Sequence, residues 1–70
     1  MDFSVGDAVE WTWGRGTGRG VVAEVFTARV TRTIKGQKIT RNASKDEPAY
    51  LLRQDDGDMV LKSASELGRS

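Results

Sequence analysis

Near the start of the chain, Val9, Trp11 and Trp13 alternate with Glu10 and Thr12, the period-two pattern of a strand with one buried face. Gly6-Asp7 supplies turn chemistry ahead of it. After "GRGTGRG" (residues 14–20) comes "VVAEVF", where an outward Glu24 implies that Val21, Ala23 and Val25 face inward. Val30 and Ile34 then fall on even positions, whereas the preceding inward set is odd. A one-residue slip moves every side chain to the other face, so a bulge or sharp bend is expected near residues 26–28.

"IKGQKI" reads as a hairpin with Gly36 first in a two-residue type II′ turn, pairing Ile34 with Ile39, Thr33 with Thr40 and Arg32 with Arg41. "LLRQDDGDMVL" reads as a second hairpin that turns at Asp56-Gly57 and pairs Leu52 with Leu61. In "SASEL", Ser63 is placed to cap one helical turn, with Glu66 three residues on and Leu67 docking behind it. Ser44 and Glu47 repeat that spacing, but Pro48 disfavours helix at Glu47, so an ordered loop is expected there. No stretch carries an apolar stripe at helical spacing over three turns. The expected fold is all-β: about five strands in a single domain, residues 1–70, with one short C-terminal helical turn.

Composition narrows the chemistry more than the fold. A chain of 70 residues lies near the lower limit for a core that holds itself together unaided. There is no Cys, which removes disulfides and thiolate metal sites, and no His, which removes the usual zinc ligand and the usual general base. The apolar runs are too short for a membrane span or a signal peptide, so a soluble, cytoplasmic monomer without cofactor is expected.

"VGDAVEWTWGRGTGRGVVAEVF", "TRTIKGQKITRNAS" and "DEPAYLLRQDDGDMVLKSASEL" together resemble the hypervirulence-associated Tudor family of small bacterial and fungal domains, once catalogued only as a domain of unknown function. The resemblance spans nearly the whole chain and implies an SH3-like or Tudor-like barrel. It implies no particular ligand.

Four stretches are candidates for chemistry. "GRGTGRG" invites comparison with phosphate loops, but it runs into a strand-like segment where the mechanism needs a helix N-terminus. A flexible connection is the plainer reading, leaving Arg15 and Arg19 as candidate anion contacts. "DDGD" crowds Asp55, Asp56 and Asp58 into one turn without the spacing of a calcium loop, so it reads as a solvated tip and no metal site is assigned. No catalytic constellation is present, and no enzyme is expected. Among the aromatic residues, Trp11 belongs in the core. Trp13 and Tyr50 are the candidates for an exposed rim, where an aromatic cage for a cation is one reading and ordinary core packing the other.

The fourth stretch is the most conspicuous. Residues 25–45 hold Arg29, Arg32, Lys35, Lys38, Arg41 and Lys45 without an acid, while the flanking segments are net acidic. On the hairpin, Arg29, Lys35 and Lys38 share a face with Thr31, Thr33 and Thr40, and Arg32 and Arg41 lie beside Ile34 and Ile39. Such a ribbon discourages edge-to-edge association, pairs internally with acids such as Asp46 or Glu47, or contacts phosphates. The expected function is that of a small binding or adaptor module for protein or peptide. The alternative is weak, non-specific nucleic-acid binding through the ribbon and the Arg-Gly loop.

Overall fold

The computed structural model describes residues 3–69 and is built of strands and one 3-10 turn. The strands are β1 (Ala8–Trp13), β2 (Gly16–Phe26), β3 (Val30–Ile34), β4 (Gln37–Arg41), β5 (Ala49–Arg53), β6 (Met59–Ser63) and β7 (Gly68–Arg69); the 3-10 turn, Ala64–Glu66, separates the last two. Five strands form one antiparallel sheet in the order β6-β5-β2-β1-β7, and β3 with β4 forms a separate two-stranded ribbon. The 3-10 turn carries the chain from one edge of the sheet to the other, where β7 pairs with β1. The ribbon is inserted between β2 and β5, and the whole is compatible with the small all-β, Tudor-like fold that was expected.

Three registers differ from the sequence expectation, each for a local reason. In β2 the one buried apolar side chain is Val22, while Val25 is exposed and Val21 and Ala23 are only half-buried. The inward positions opposite Val9 and Trp11 are Gly20 and Gly18, which carry no hydropathic signal, so the phase could not be seen. The irregularity in β2 lies between Val22 and Glu24, earlier than residues 26–28.

The ribbon turns at Lys35-Gly36, with φ of 52° and 79°, both positive as a type I′ turn requires. Ile34 therefore faces Gln37, Arg32 faces Ile39 and Val30 faces Arg41. The slip from the expected pairing is two residues, which leaves the assignment of faces unchanged.

The β5–β6 hairpin is out by one residue, and that matters more. Gly57 N–H donates to Gln54 C=O (2.9 Å), and Gly57 takes a φ of 88°, the geometry of a type I turn closed by a left-handed glycine. The longer loop pairs Leu51 with Leu61 and Leu52 with Val60. Leu61 thereby leaves the face of Leu52 and joins the opposite one.

The sheet consequently has a hydrophobic cluster on each face. On one, Phe3, Val9, Trp11, Val22, Tyr50, Leu52 and Ala64 pack together, with Val60 and Leu67 at the margin. On the other, Val30, Ala49 and Leu61 are covered by Phe26, Ile34, Ile39 and Ala43, of which Ile34 and Ile39 come from the ribbon. The 3-10 turn seals the first cluster. The Glu66 carboxylate accepts from Ser63 N–H (2.8 Å), the capping arrangement expected of that segment.

Candidate functional site

The glycine run and the two tryptophans form one device. β1 and β2 pair so that Trp11 faces Gly18 and Trp13 faces Gly16. A Cβ at Gly18 would overlap Cε2 and Nε1 of Trp11, and one at Gly16 would come within 2.8 Å of Cζ2 of Trp13. The run is neither a phosphate loop nor a flexible connection. It is a strand whose missing side chains seat two indoles.

The indoles then part company. Trp11 is 5% exposed and belongs to the core, as expected, whereas Trp13 is 61% exposed at the end of the same strand. With Gly16 backing the Trp13 ring, its open side borders a cleft of about 500 Å³ lined also by Thr17, Gly18, Arg19, Gln54, Asp55 and Asp56. Neither Asp55 nor Asp56 has an ion-pair partner among the described residues; one Asp56 oxygen accepts from Asp58 N–H at 2.9 Å within the turn.

Tyr50 does not share this rim. It is fully buried in mid-β5, edge-on to Phe3 with ring centroids 5.5 Å apart, and its hydroxyl accepts from Phe3 N–H (3.0 Å). Pro48 is buried too, so the approach to β5 lies inside the fold instead of at its margin. No cage forms from Trp13 and Tyr50. Phe26, another aromatic available from the sequence, is half-buried beneath the guanidinium of Arg32, 4.8 Å from its ring centroid.

Half of the basic segment is paired, while Arg29, Lys38 and Lys45 have no ion pair among the described residues. Arg32 reaches Glu24 on β2 (3.5 Å), Lys35 reaches Asp58 beyond the β5–β6 turn (2.8 Å), and Arg41 reaches Glu66 in the 3-10 turn (3.1 Å). The partners are not Asp46 or Glu47, the acids that follow the segment in sequence; Glu47 instead accepts from Ser65 N–H (3.3 Å). Between the strands Thr31 and Thr40 join hydroxyls across the ribbon (2.9 Å). Of the Arg-Gly loop, Arg19 pairs with Glu10 (3.5 Å) and Arg15 stands exposed at the β1–β2 turn. These cations do not converge on one groove.

Asp55 and Asp56 are the residues that the sequence left unassigned to a site. Nothing local could reveal their place beside Trp13. It follows only from the pairing of β5 with β2, and of β2 with β1, which brings the acidic turn alongside the glycine track.

Among the described residues no three acidic side chains are grouped to hold a metal ion, and no helix is long and apolar enough to cross a membrane. Comparison with curated proteins and with solved structures finds no match. The family model for the TUDOR domain of hypervirulence-associated proteins matches residues 6–67, which takes in both tryptophans, the glycine track, the ribbon and the 3-10 turn. The chain belongs to that family.

Proposed function

We propose that the protein is a non-catalytic, monomeric module that binds a segment of another protein at the cleft beside Trp13. The carrying observation is the Trp13 indole itself, 61% exposed yet held in place by the Gly16 backbone behind it. Large rigid aromatics of this kind anchor protein interfaces because they bury much area at small entropic cost. The chain has neither His nor Cys, which fits binding better than acid–base or nucleophilic work.

Nucleic-acid binding through the ribbon is the weaker reading. With Arg32, Lys35 and Arg41 engaged by carboxylates, Arg29 and Lys38 remain as its cations without an ion pair among the described residues. Two such contacts on duplex DNA give a log–log salt slope of only about −2, and so little counterion release supports no more than weak binding. An NMR shift titration with peptide pools, DNA and RNA separates the two. The expected outcome is that peptides move the Trp13 indole N–H and the amides of residues 54–56. Submicromolar nucleic-acid binding confined to ribbon amides would overturn the proposal.

A further inference from the structure

The ribbon has two outer edges, and an arginine closes each in the same way. β3 and β4 pair only with one another, and their two-residue turn makes Ile34–Gln37, Arg32–Ile39 and Val30–Arg41 the hydrogen-bonded pairs. The backbone N–H and C=O groups of Thr31 and Thr33 on β3, and of Lys38 and Thr40 on β4, therefore point away from the partner strand. Two of these outward carbonyls are taken: Arg32 Nη1 donates to Thr31 C=O and Arg41 Nη1 to Thr40 C=O, both at 3.1 Å. We propose that Arg32 is a latch that shuts the outer edge of β3 against pairing with a second copy of this chain, and that Arg41 is its counterpart on β4.

Contacts outside the ribbon hold both arginines in place. The Arg32 guanidinium lies 4.8 Å from the Phe26 ring centroid, and its Nη2 reaches Glu24 on β2 at 3.5 Å. Arg41 Nε reaches Glu66 at 3.1 Å. A planar guanidinium can stack, pair with a carboxylate and donate to a carbonyl at once, because its donors are fixed in a fork. The main sheet has less need of such a device. One of its edges is the two-residue β7, too short to template another strand, and the other, β6, lies beside the ribbon. Charge backs the latch. In an antiparallel pairing that sets Thr31 against Thr33 of the second copy, Arg29 falls opposite Lys35, and like charges directly opposite are destabilising.

The test reads the oligomeric state of the whole chain by sedimentation equilibrium, with hydrogen exchange to locate the contact. The parent should stay monomeric. Arg32→Met keeps an apolar stem against Phe26 but loses every donor, and should dimerise at least tenfold more tightly than the parent, the more so as salt screens Arg29 and Lys35. In that dimer the Thr31 and Thr33 amides should exchange more slowly. Adding Thr33→Pro, which removes an outward N–H without touching a β3–β4 hydrogen bond, should return the variant to monomer. Arg32→Lys, whose single ammonium cannot serve Glu24 and Thr31 together, should dimerise by the same edge and decides the matter where the Met variant loosens the ribbon. Arginine variants that remain monomeric with the ribbon intact would overturn the proposal. Association that survives Thr33→Pro, or a parent that already pairs through β3, would do the same.

Discussion

The two hydrophobic clusters lie on opposite faces of one sheet and are built to different standards. The Trp11 cluster is closed from every side, by Phe3 beneath, the 3-10 turn with Leu67 at the edge, and the glycine track against the indole. The Leu61 cluster has three buried residues, and its cover of Phe26, Ile34, Ile39 and Ala43 is only partly buried. Around that cover run the ion pairs to Glu24 on β2, Asp58 in the β5–β6 loop and Glu66 in the 3-10 turn. The basic segment is thus explained chiefly as the fringe of a ribbon whose apolar contact is small. Where burial is incomplete, rim charges choose the docking position, even though each exposed pair adds little stability.

The largest test of this division compares truncations on the two faces. Trp11→Ala should cost about 3–5 kcal/mol, enough to unfold so small a domain, while Leu61→Ala should cost about 2–3 kcal/mol because the ribbon can settle into the space. Trp13→Ala, two residues from Trp11, should cost about 0.5 kcal/mol or less, as exposed substitutions do. Urea denaturation measures all three. A Leu61 loss equal to that of Trp11 would mean that both clusters belong to one core.

That ordering was partly visible in the sequence. The alternation around Trp11 placed β1 and its buried face, and the Ser63–Glu66 spacing placed the 3-10 turn, because both are local patterns. The second cluster was invisible for a specific reason. It depends on Leu61 facing away from Leu52, which one residue in the loop at 54–58 decides, and a Gly-containing loop of either length fits the same sequence. The candidate site was legible by half. Trp13 at a strand end beside glycine could be picked out, but Tyr50 was misplaced, and Asp55 and Asp56 come to the cleft only through non-local pairing.

An intermediate effect should appear on acidification. Burial pushes the Glu66 carboxyl up, but hydrogen bonds from Ser63 N–H and Arg41, with the charges of Arg41 and Lys62, outweigh it and hold the group below its ordinary 4.5. A depressed carboxylate contributes stability that is present above 4.5 and is lost as pH falls through the lower folded value. Because Glu66 holds Arg41 at the end of the ribbon, amides of β3 and β4 should lose hydrogen-exchange protection below that pH before those of β1 and β2 do. Glu66→Gln should lower ribbon protection at neutral pH and flatten its acid dependence. Protection falling together in ribbon and sheet would show a single cooperative unit.

The smallest effect concerns the tip of the ribbon, where two influences oppose each other. Lys35 sits at a φ of 52°, a region that costs an ordinary side chain and suits Asn, yet its ammonium meets Asp58 at 2.8 Å. That contact, first as a hydrogen bond and then as a charge, raises the Lys35 pKa above 10.5. The pair's contribution is therefore in place below 10.5 and is lost only as pH rises through the raised value. Lys35→Asn relieves the backbone and removes the pair. Since the ammonium is fully exposed, the backbone gain should prevail, and Tm should rise slightly at neutral pH. The two influences separate by salt. At about 1 M, where the Debye length is about 3 Å, the pair is largely screened in the parent protein, so the advantage of Asn should widen. A lower Tm for Lys35→Asn at low salt, with the deficit closing at high salt, would instead show that Asp58 fixes the ribbon tip more firmly than its exposure implies.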